Sequence, residues 1–349
     1  MIFLLSALLT FILTALAIPQ TIKLALKYKL VDNPDIRPHP AHVQKRTVPR
    51  AGGLAPFLGI IVSIFLFIPI TSEIMGIIAG LSILLFVGLL DDKYHNLSPY
   101  FRLASQFVAA LLVVLSGVGI KFITNPMGGI INFESFTLLA DFFAIIWIVW
   151  VMNMINWSKG VDGQMPSVAF VAAGVLGLLS LKFYLGGDPG QIYVATLSFI
   201  TAGASLGLLL YNWHPAKIFP GFSGSTILGF MLAVLSILAG AKLATATLVL
   251  LIPATDFAYT FLRRILQGKS PVWGDREHLH HKLLEAGLTH QQISLFYLFG
   301  SVILGLIALN LSSSGKLFAA GLVATLILGT ILWLNFFGGL SERRAPDNG

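Results

Sequence analysis

Asp91 and Asp92 stand side by side after an apolar run in FVGLLDDKYHNLSPYFR. Asn153 and Asn156 lie three residues apart ahead of Lys159, Gly160, Asp162 and Gly163, and His278, His280 and His281 crowd into four positions of DREHLHHKL. Paired carboxylates hold a cation or take a proton, amides read a base or a ribose, and imidazoles beside basic residues grip phosphate or sugar. The segment PRAGG adds Arg50, while Arg102 and Gln106, one helical turn apart, can reach a phosphate brought to the carboxylate pair. This chemistry suits a charged, phosphate-bearing substrate that must meet a lipid, because neither a membrane span nor a lipid anchor needs such groups.

Each group also has a plainer reading. Asp91 and Asp92 could form a solvated helix end, but acids at a helix C-terminus oppose the macrodipole at a cost of about 0.3 to 1 kcal/mol each. Adjacent like charges also repel until a cation or proton joins them, which weighs for function there. Asn and Gly terminate helices in the ordinary way, and a basic histidine loop can simply be solvated. Zinc is disfavoured at the histidines, since three in four residues converge poorly on one ion. With no cysteine in the chain, disulfides and thiolate metal sites are excluded.

The elements that must carry these residues are membrane helices. Of 349 residues, 56% are hydrophobic and 11% charged, with a mean hydropathy of +0.86, which excludes a soluble globule with a polar surface. Apolar segments long enough to cross a hydrocarbon core recur near 2 to 22, 54 to 70, 74 to 90, 103 to 120, 138 to 155, 165 to 184, 191 to 211, 224 to 240, 243 to 262, 291 to 310 and 317 to 337. The expected architecture is therefore an all-α polytopic membrane protein of about eleven transmembrane helices, one domain over 1 to 340 with a tail at 341 to 349. The first segment lacks a basic start and a cleavage site, so a retained helix is expected rather than a signal peptide. The pairs Gly76 with Gly80 and Gly203 with Gly207 predict close helix packing, and 121 to 137 reads as a short hairpin or an irregular loop on the outer side.

With the N-terminus external, all but four of the 22 Lys and Arg fall on the cytoplasmic side or in the C-terminal tail, the exceptions being Lys121, Lys182, Lys242 and Lys316. The basic balance thus reflects topology and a partner bilayer, not nucleic acid. Every motif named above lies on that same cytoplasmic face.

PHPAHVQKRTVPRAGG, LLDDKYHNLSPYFR, NMINWSKGVDG, NWHPAKIFPGFSGST and SPVWGDREHLHHKL follow the order and spacing of one family. The chain resembles the polyprenyl-phosphate N-acetylhexosamine-1-phosphate transferases, in the branch that uses UDP-N-acetylglucosamine. The resemblance implies a bacterial plasma-membrane enzyme that transfers a sugar phosphate from a UDP-N-acetylhexosamine to polyprenyl (undecaprenyl) phosphate. It implies release of UMP, a magnesium cofactor and the start of cell-envelope glycan assembly, and it leaves a homodimer open. It assigns Asn153, Asn156 and Asp162 to the nucleotide, Arg50, Arg102, Gln106 and the three histidines to phosphates and sugar, and catalysis or magnesium to Asp91 and Asp92.

Two positions depart from the family. Lys159 replaces the first Asp of N-x-x-N-x-x-D-G-x-D-G, and Phe222 stands at the metal-binding Asp of G-D-x-G-S. If Lys159 is protonated, the site gains three units of positive charge, which suggests that the lysine takes over part of the metal's role and weakens metal dependence. A catalytically impaired relative and, from a different class, a lipid or solute transporter are the alternatives. The collection of polar residues at one face weighs against the transporter.

Overall fold

The computed structural model describes residues 1–33, 46–94, 97–125, 128–240, 242–270 and 277–342. Along the chain run α1 (Ile2–Lys27), α2 (Leu54–Phe67), α3 (Ser72–Tyr94), α4 (Pro99–Leu115), α5 (Thr137–Trp157), α6 (Gln164–Leu185) and α7 (Gln191–Asn212). They are followed by α8 (Gly221–Leu238), α9 (Leu243–Val249), α10 (Leu251–Leu266), α11 (Leu279–Glu285), α12 (His290–Asn310) and α13 (Ser313–Glu342).

Among the described residues, eight helices are long and apolar enough to cross a membrane, or nine if the bent pair α9 and α10 forms one span. The protein is a multi-pass membrane protein. Two expected spans are shorter than anticipated: α2 has 14 residues and α4 has 17, about 21 and 26 Å at 1.5 Å per residue. The segment 243 to 262 is not one straight helix. It turns by 87° between α9 and α10. Pro253 sits in the first turn of α10, where its missing N–H costs nothing, so a new helix begins there rather than the old one continuing. Helix α13 runs on through Glu342, so the first residues of the expected tail are helical.

The chain is mostly helical as expected, and two short antiparallel ladders accompany the helices. Val31–Asp32 (β1) pairs antiparallel with Val48–Pro49 (β2), and Phe122–Thr124 (β3) with Ile130–Asn132 (β4). The second ladder is the hairpin expected near 121 to 137, with a 3-10 turn over Glu134–Phe136 in place of its last part.

Helix α8 is the axis of the molecule, buried along nearly its whole length and packed by α3, α5, α6 and α7. Ser225, Thr226 and Ser236 return their hydroxyls to the helix's own backbone, the first two to the Gly221 and Phe222 carbonyls at 2.8 and 2.7 Å. Helix α1 buries Ser6, Thr10, Thr14, Ile18, Thr21 and Ala25, a stripe of mostly small residues three or four apart. This stripe lies against α7 at the expected Gly203 and Gly207, where any side chain would strike Ala7 and Thr14. Because successive long helices reverse direction, the ends of α3, α5 and α7 and the starts of α4, α6, α8 and α12 gather at one end of the bundle, where the polar motifs meet.

Candidate active site

The two adjacent acids at the end of α3 have different surroundings. Asp92 is fully buried and faces the N-terminus of α8. Its Oδ1 accepts from Phe222 N–H at 2.8 Å and Arg50 Nε at 3.2 Å; its Oδ2 accepts from Ser223 Oγ at 2.6 Å and Ser223 N–H at 3.3 Å. The unfavourable acid at one helix C-terminus is thus met by the positive N-terminus of another. Gly221 has φ +68°, and a Cβ there would collide with both Asp92 oxygens and the Arg50 carbonyl, so only glycine lets the helix start against this carboxylate.

Asp91 is also buried, yet its Oδ1 has no hydrogen-bond partner among the described residues. Its Oδ2 lies 3.6 Å from Arg102 and 3.9 Å from Arg50. Arg50 also approaches Asp32 at 4.0 Å. Burial alone would pull the Arg50 guanidinium down, but Asp92, Asp32 and Asp91 together hold it above its ordinary value, so its charge is secure.

Lys159 follows the end of α5. Its Nζ donates to Asn156 Oδ1 at 2.6 Å and to the Gly221 carbonyl at 3.1 Å, with Ser225 Oγ at 3.5 Å. Burial pushes its ammonium down to about 7, and the Arg50 guanidinium pushes the same way, against the pull of Asp92 and Asp91. Phe222 is buried, with the Arg102 guanidinium 5.5 Å and the Lys159 ammonium 5.9 Å from its ring centroid. Asn153 spends its amide hydrogens on Gln106 Oε1 at 2.7 Å and the Val149 carbonyl at 2.9 Å. The buried Gln106 Nε2 has no hydrogen-bond partner among the described residues.

Asp162 and the histidines form the other wall. Asp162 Oδ2 accepts from Ala216 N–H at 3.1 Å and lies 2.8 Å from His214 Nδ1. The Ser294 hydroxyl of α12 donates to the Asp162 carbonyl. His278 sits 3.0 Å from Asp256 Oδ2, edge-on to Trp157, and its ring stacks on His280, which touches His281. Burial, and then the neighbouring His281 and His278, hold His280 well below the usual imidazole range, so it is neutral. Its Nε2 edge rests on Gly160, where a Cβ would overlap the ring. The histidine triplet therefore packs against the Lys159 loop. Arg276, expected beside it, lies outside the described residues, and Lys282 donates to Glu277 at 2.7 Å.

Of the expected site residues, Arg50, Asp91, Asp92, Arg102, Asn156 and Lys159 form one charged cluster. Gln106 with Asn153, and Asp162 with His214, are paired nearby along the same chain ends. Sequence reasoning missed Ser223, Ser225, His214, His290 and Asp256. Asp256, an acid inside an apolar segment, carried a readable signal; His214 lay unremarked within NWHPAKIFPGFSGST.

A divalent cation is the group that the sequence resemblance implies, and the residues present do not fit it. The lone pairs of Asp92 are taken by four donors. Phe222 offers only hydrocarbon and an ammonium stands beside it, while Arg50, Arg102 and Lys159 already balance Asp32, Asp91 and Asp92. Magnesium prefers six oxygens in near-octahedral order, and one Asp91 oxygen among three cations is a poor start. Elsewhere among the described residues, Asp162, His214 and His290 offer ligand atoms within 4.8 Å of one another. There His214 Nδ1 already lies 2.8 Å from Asp162 Oδ2, and the two imidazole rings are stacked at 4.7 Å.

Comparison with known proteins finds glycosyl transferase family 4 over residues 74–240. The chain is 32% identical to the probable undecaprenyl-phosphate N-acetylglucosaminyl 1-phosphate transferase of Bacillus subtilis (strain 168), over 83% of this chain and 80% of the other. The chain belongs to this family of polyprenyl-phosphate sugar-1-phosphate transferases. Other members similar to it are the decaprenyl-phosphate N-acetylglucosaminephosphotransferase of Mycolicibacterium smegmatis, 31% identical over 80% of this chain and 75% of that one, and the undecaprenyl-phosphate alpha-N-acetylglucosaminyl 1-phosphate transferase of Escherichia coli (strain K12), 28% identical over 81% and 76%. These relatives are phosphotransferases, which speaks for an enzyme and against the transport reading. In this family member, the cluster around Asp91 is the candidate reaction centre.

Proposed function

We propose that the protein transfers N-acetylglucosamine 1-phosphate from UDP-N-acetylglucosamine to undecaprenyl phosphate in a bacterial plasma membrane, starting a cell-envelope glycan. The polar end of the bundle faces the cytoplasm, as the lysine and arginine distribution supports, with the N-terminus outside and all eleven apolar segments entering the membrane. The observation that carries the reading is buried Asp91, whose Oδ1 has no hydrogen-bond partner among the described residues while its Oδ2 faces two guanidiniums, in a chain whose relatives are polyprenyl-phosphate transferases.

In this reading a phosphate oxygen of the lipid attacks the sugar-linked phosphorus of the nucleotide sugar. A new phosphorus–oxygen bond forms, the bond from that phosphorus to the bridging oxygen breaks, and UMP leaves with the electron pair. A phosphomonoester has a second pKa near 6, so most of the acceptor is already dianionic at neutral pH, and Asp91 takes the last proton where one remains. Arg102, Arg50 and Lys159 neutralise charge on the phosphates, and positioning with charge stabilisation supplies most of the rate. Asn156, Asn153 and Asp162 lie on the nucleotide side, and the histidines on the sugar.

The test is UMP release from UDP-N-acetylglucosamine by the purified protein. Release that requires undecaprenyl phosphate supports the reading. Release independent of the lipid, or none with any common UDP-N-acetylhexosamine, would count against it.

A further inference from the structure

We propose that this site grips the substrate diphosphate with a built-in cation, Lys159, working with Arg102 across the Phe222 ring, and requires no divalent metal. The inference rests on the nucleotide-sugar reading above and names what holds the diphosphate within it.

The first support is what Lys159 touches. Its hydrogen-bond partners among the described residues, Asn156 Oδ1, the Gly221 carbonyl and Ser225 Oγ, are all neutral oxygens. At 3.5 Å the last is long, so one of three ammonium protons is poorly used. A cation fixed among neutral acceptors keeps its field for a ligand. The second support is Phe222, whose ring lies within 6 Å of both the Arg102 and Lys159 cationic groups. Two like charges flank one ring, and among the described residues the carboxylate paired with either is Asp91, 3.6 Å from Arg102, so a bridging dianion would relieve them further. The third is the charge balance: Asp92 is spent on Arg50 and the start of α8, so no second acid is free to hold a metal there. In bonding terms, Lys159 and Arg102 offer oriented N–H donors where a metal would offer coordination.

The experiment is calorimetric binding of UDP-N-acetylglucosamine to the full-length protein in detergent, in EDTA and in excess magnesium. Wild type, Lys159→Met, Lys159→Arg and the double variant Lys159→Asp with Phe222→Asp would be compared. Uridine, which lacks phosphates, serves as a second probe. The expected result is wild-type affinity equal within about twofold in EDTA and magnesium. Lys159→Met should lose at least about tenfold for the nucleotide sugar, equivalent to about 1.4 kcal/mol, and nothing for uridine. Lys159→Arg should retain most of the affinity, and the double variant should bind the nucleotide sugar only with magnesium and take up Mn²⁺ visible by electron paramagnetic resonance.

Wild-type binding that disappears in EDTA would overturn the inference, as would Mn²⁺ bound stoichiometrically by wild type, or equal loss of uridine binding in Lys159→Met. Lipid labelling measured in parallel separates the two readings. Transfer that needs magnesium would sink the metal-free site and leave the transferase standing. Metal-free, lysine-dependent binding without transfer would do the reverse.

Discussion

The two neighbouring acids should respond differently to the same change. In Asp92→Asn, one carboxylate oxygen becomes an amide NH₂, and every direction around the old carboxylate is occupied by a donor. On the Oδ1 side it meets Phe222 N–H and Arg50; on the Oδ2 side it meets Ser223, whose hydroxyl can turn to accept while its N–H cannot. Removing one partner of a buried ion pair costs about 3 to 5 kcal/mol. Arg50 retains Asp91 at 3.9 Å and Asp32 at 4.0 Å, which argues for the lower figure, about 3 kcal/mol. Asp91→Asn removes only long ion pairs at 3.6 and 3.9 Å and no hydrogen bond, relieves a buried oxygen of its charge and leaves Arg102 partly exposed to water, so the buried-pair cost falls to about 1 kcal/mol. With an unfolding entropy of about 2.1 cal/mol/K per residue, a chain of this length melting as one unit would lose about 4 °C for Asp92→Asn and about 1 °C for Asp91→Asn. Thermal unfolding in detergent, followed by intrinsic fluorescence, reads both midpoints. Both variants should lose turnover, Asp91→Asn while still folded and Asp92→Asn together with its stability. An Asp91→Asn midpoint that falls as far as that of Asp92→Asn would refute this division of roles.

Lys159, pushed down to about 7 by burial, Arg50 and Arg102 against the pull of Asp92 and Asp91, should bind phosphate only while protonated. Nucleotide-sugar affinity in calorimetry is therefore expected to fall as pH rises above about 7, by up to about tenfold per unit, and to stay flat over that range in Lys159→Arg. Gly160→Ala forces a methyl into the His280 ring and should weaken nucleotide-sugar binding at least about tenfold by displacing the Lys159 loop; unchanged affinity would mean that the histidines do not brace it. Gly203→Leu should overpack α1 against α7 and lower the melting midpoint by an amount equivalent to about 1 to 3 kcal/mol, without altering the ligand affinity of the surviving folded protein.

Much of this was legible because membrane helices announce themselves. Long apolar runs gave α1, α3, α5, α6, α7, α8, α12 and α13 nearly in place. The break between α9 and α10 was hidden, since apolar residues continue through the bend and only Pro253 marks the restart. In the site, residue type and order revealed which acids, amides and bases matter. What they could not reveal is partnership across the chain. That Asp92 closes the start of α8 depends on a contact 130 residues away, which separates it from an identical neighbour whose Oδ1 has no hydrogen-bond partner among the described residues. The two departures, Lys159 and Phe222, were plain in the sequence. Their shared position around Arg102 was not, because only folding brings α4, the loop after α5 and the start of α8 together.

The most direct test of the central claim uses UDP-N-acetylglucosamine labelled with ¹⁴C in the sugar and ³²P on the sugar-linked phosphorus, incubated with the purified protein and undecaprenyl phosphate. Sugar-phosphate transfer predicts both labels in the lipid phase at a one-to-one ratio, with unlabelled UMP left in water. Sugar arriving in the lipid without its phosphorus, or neither label arriving, would contradict it.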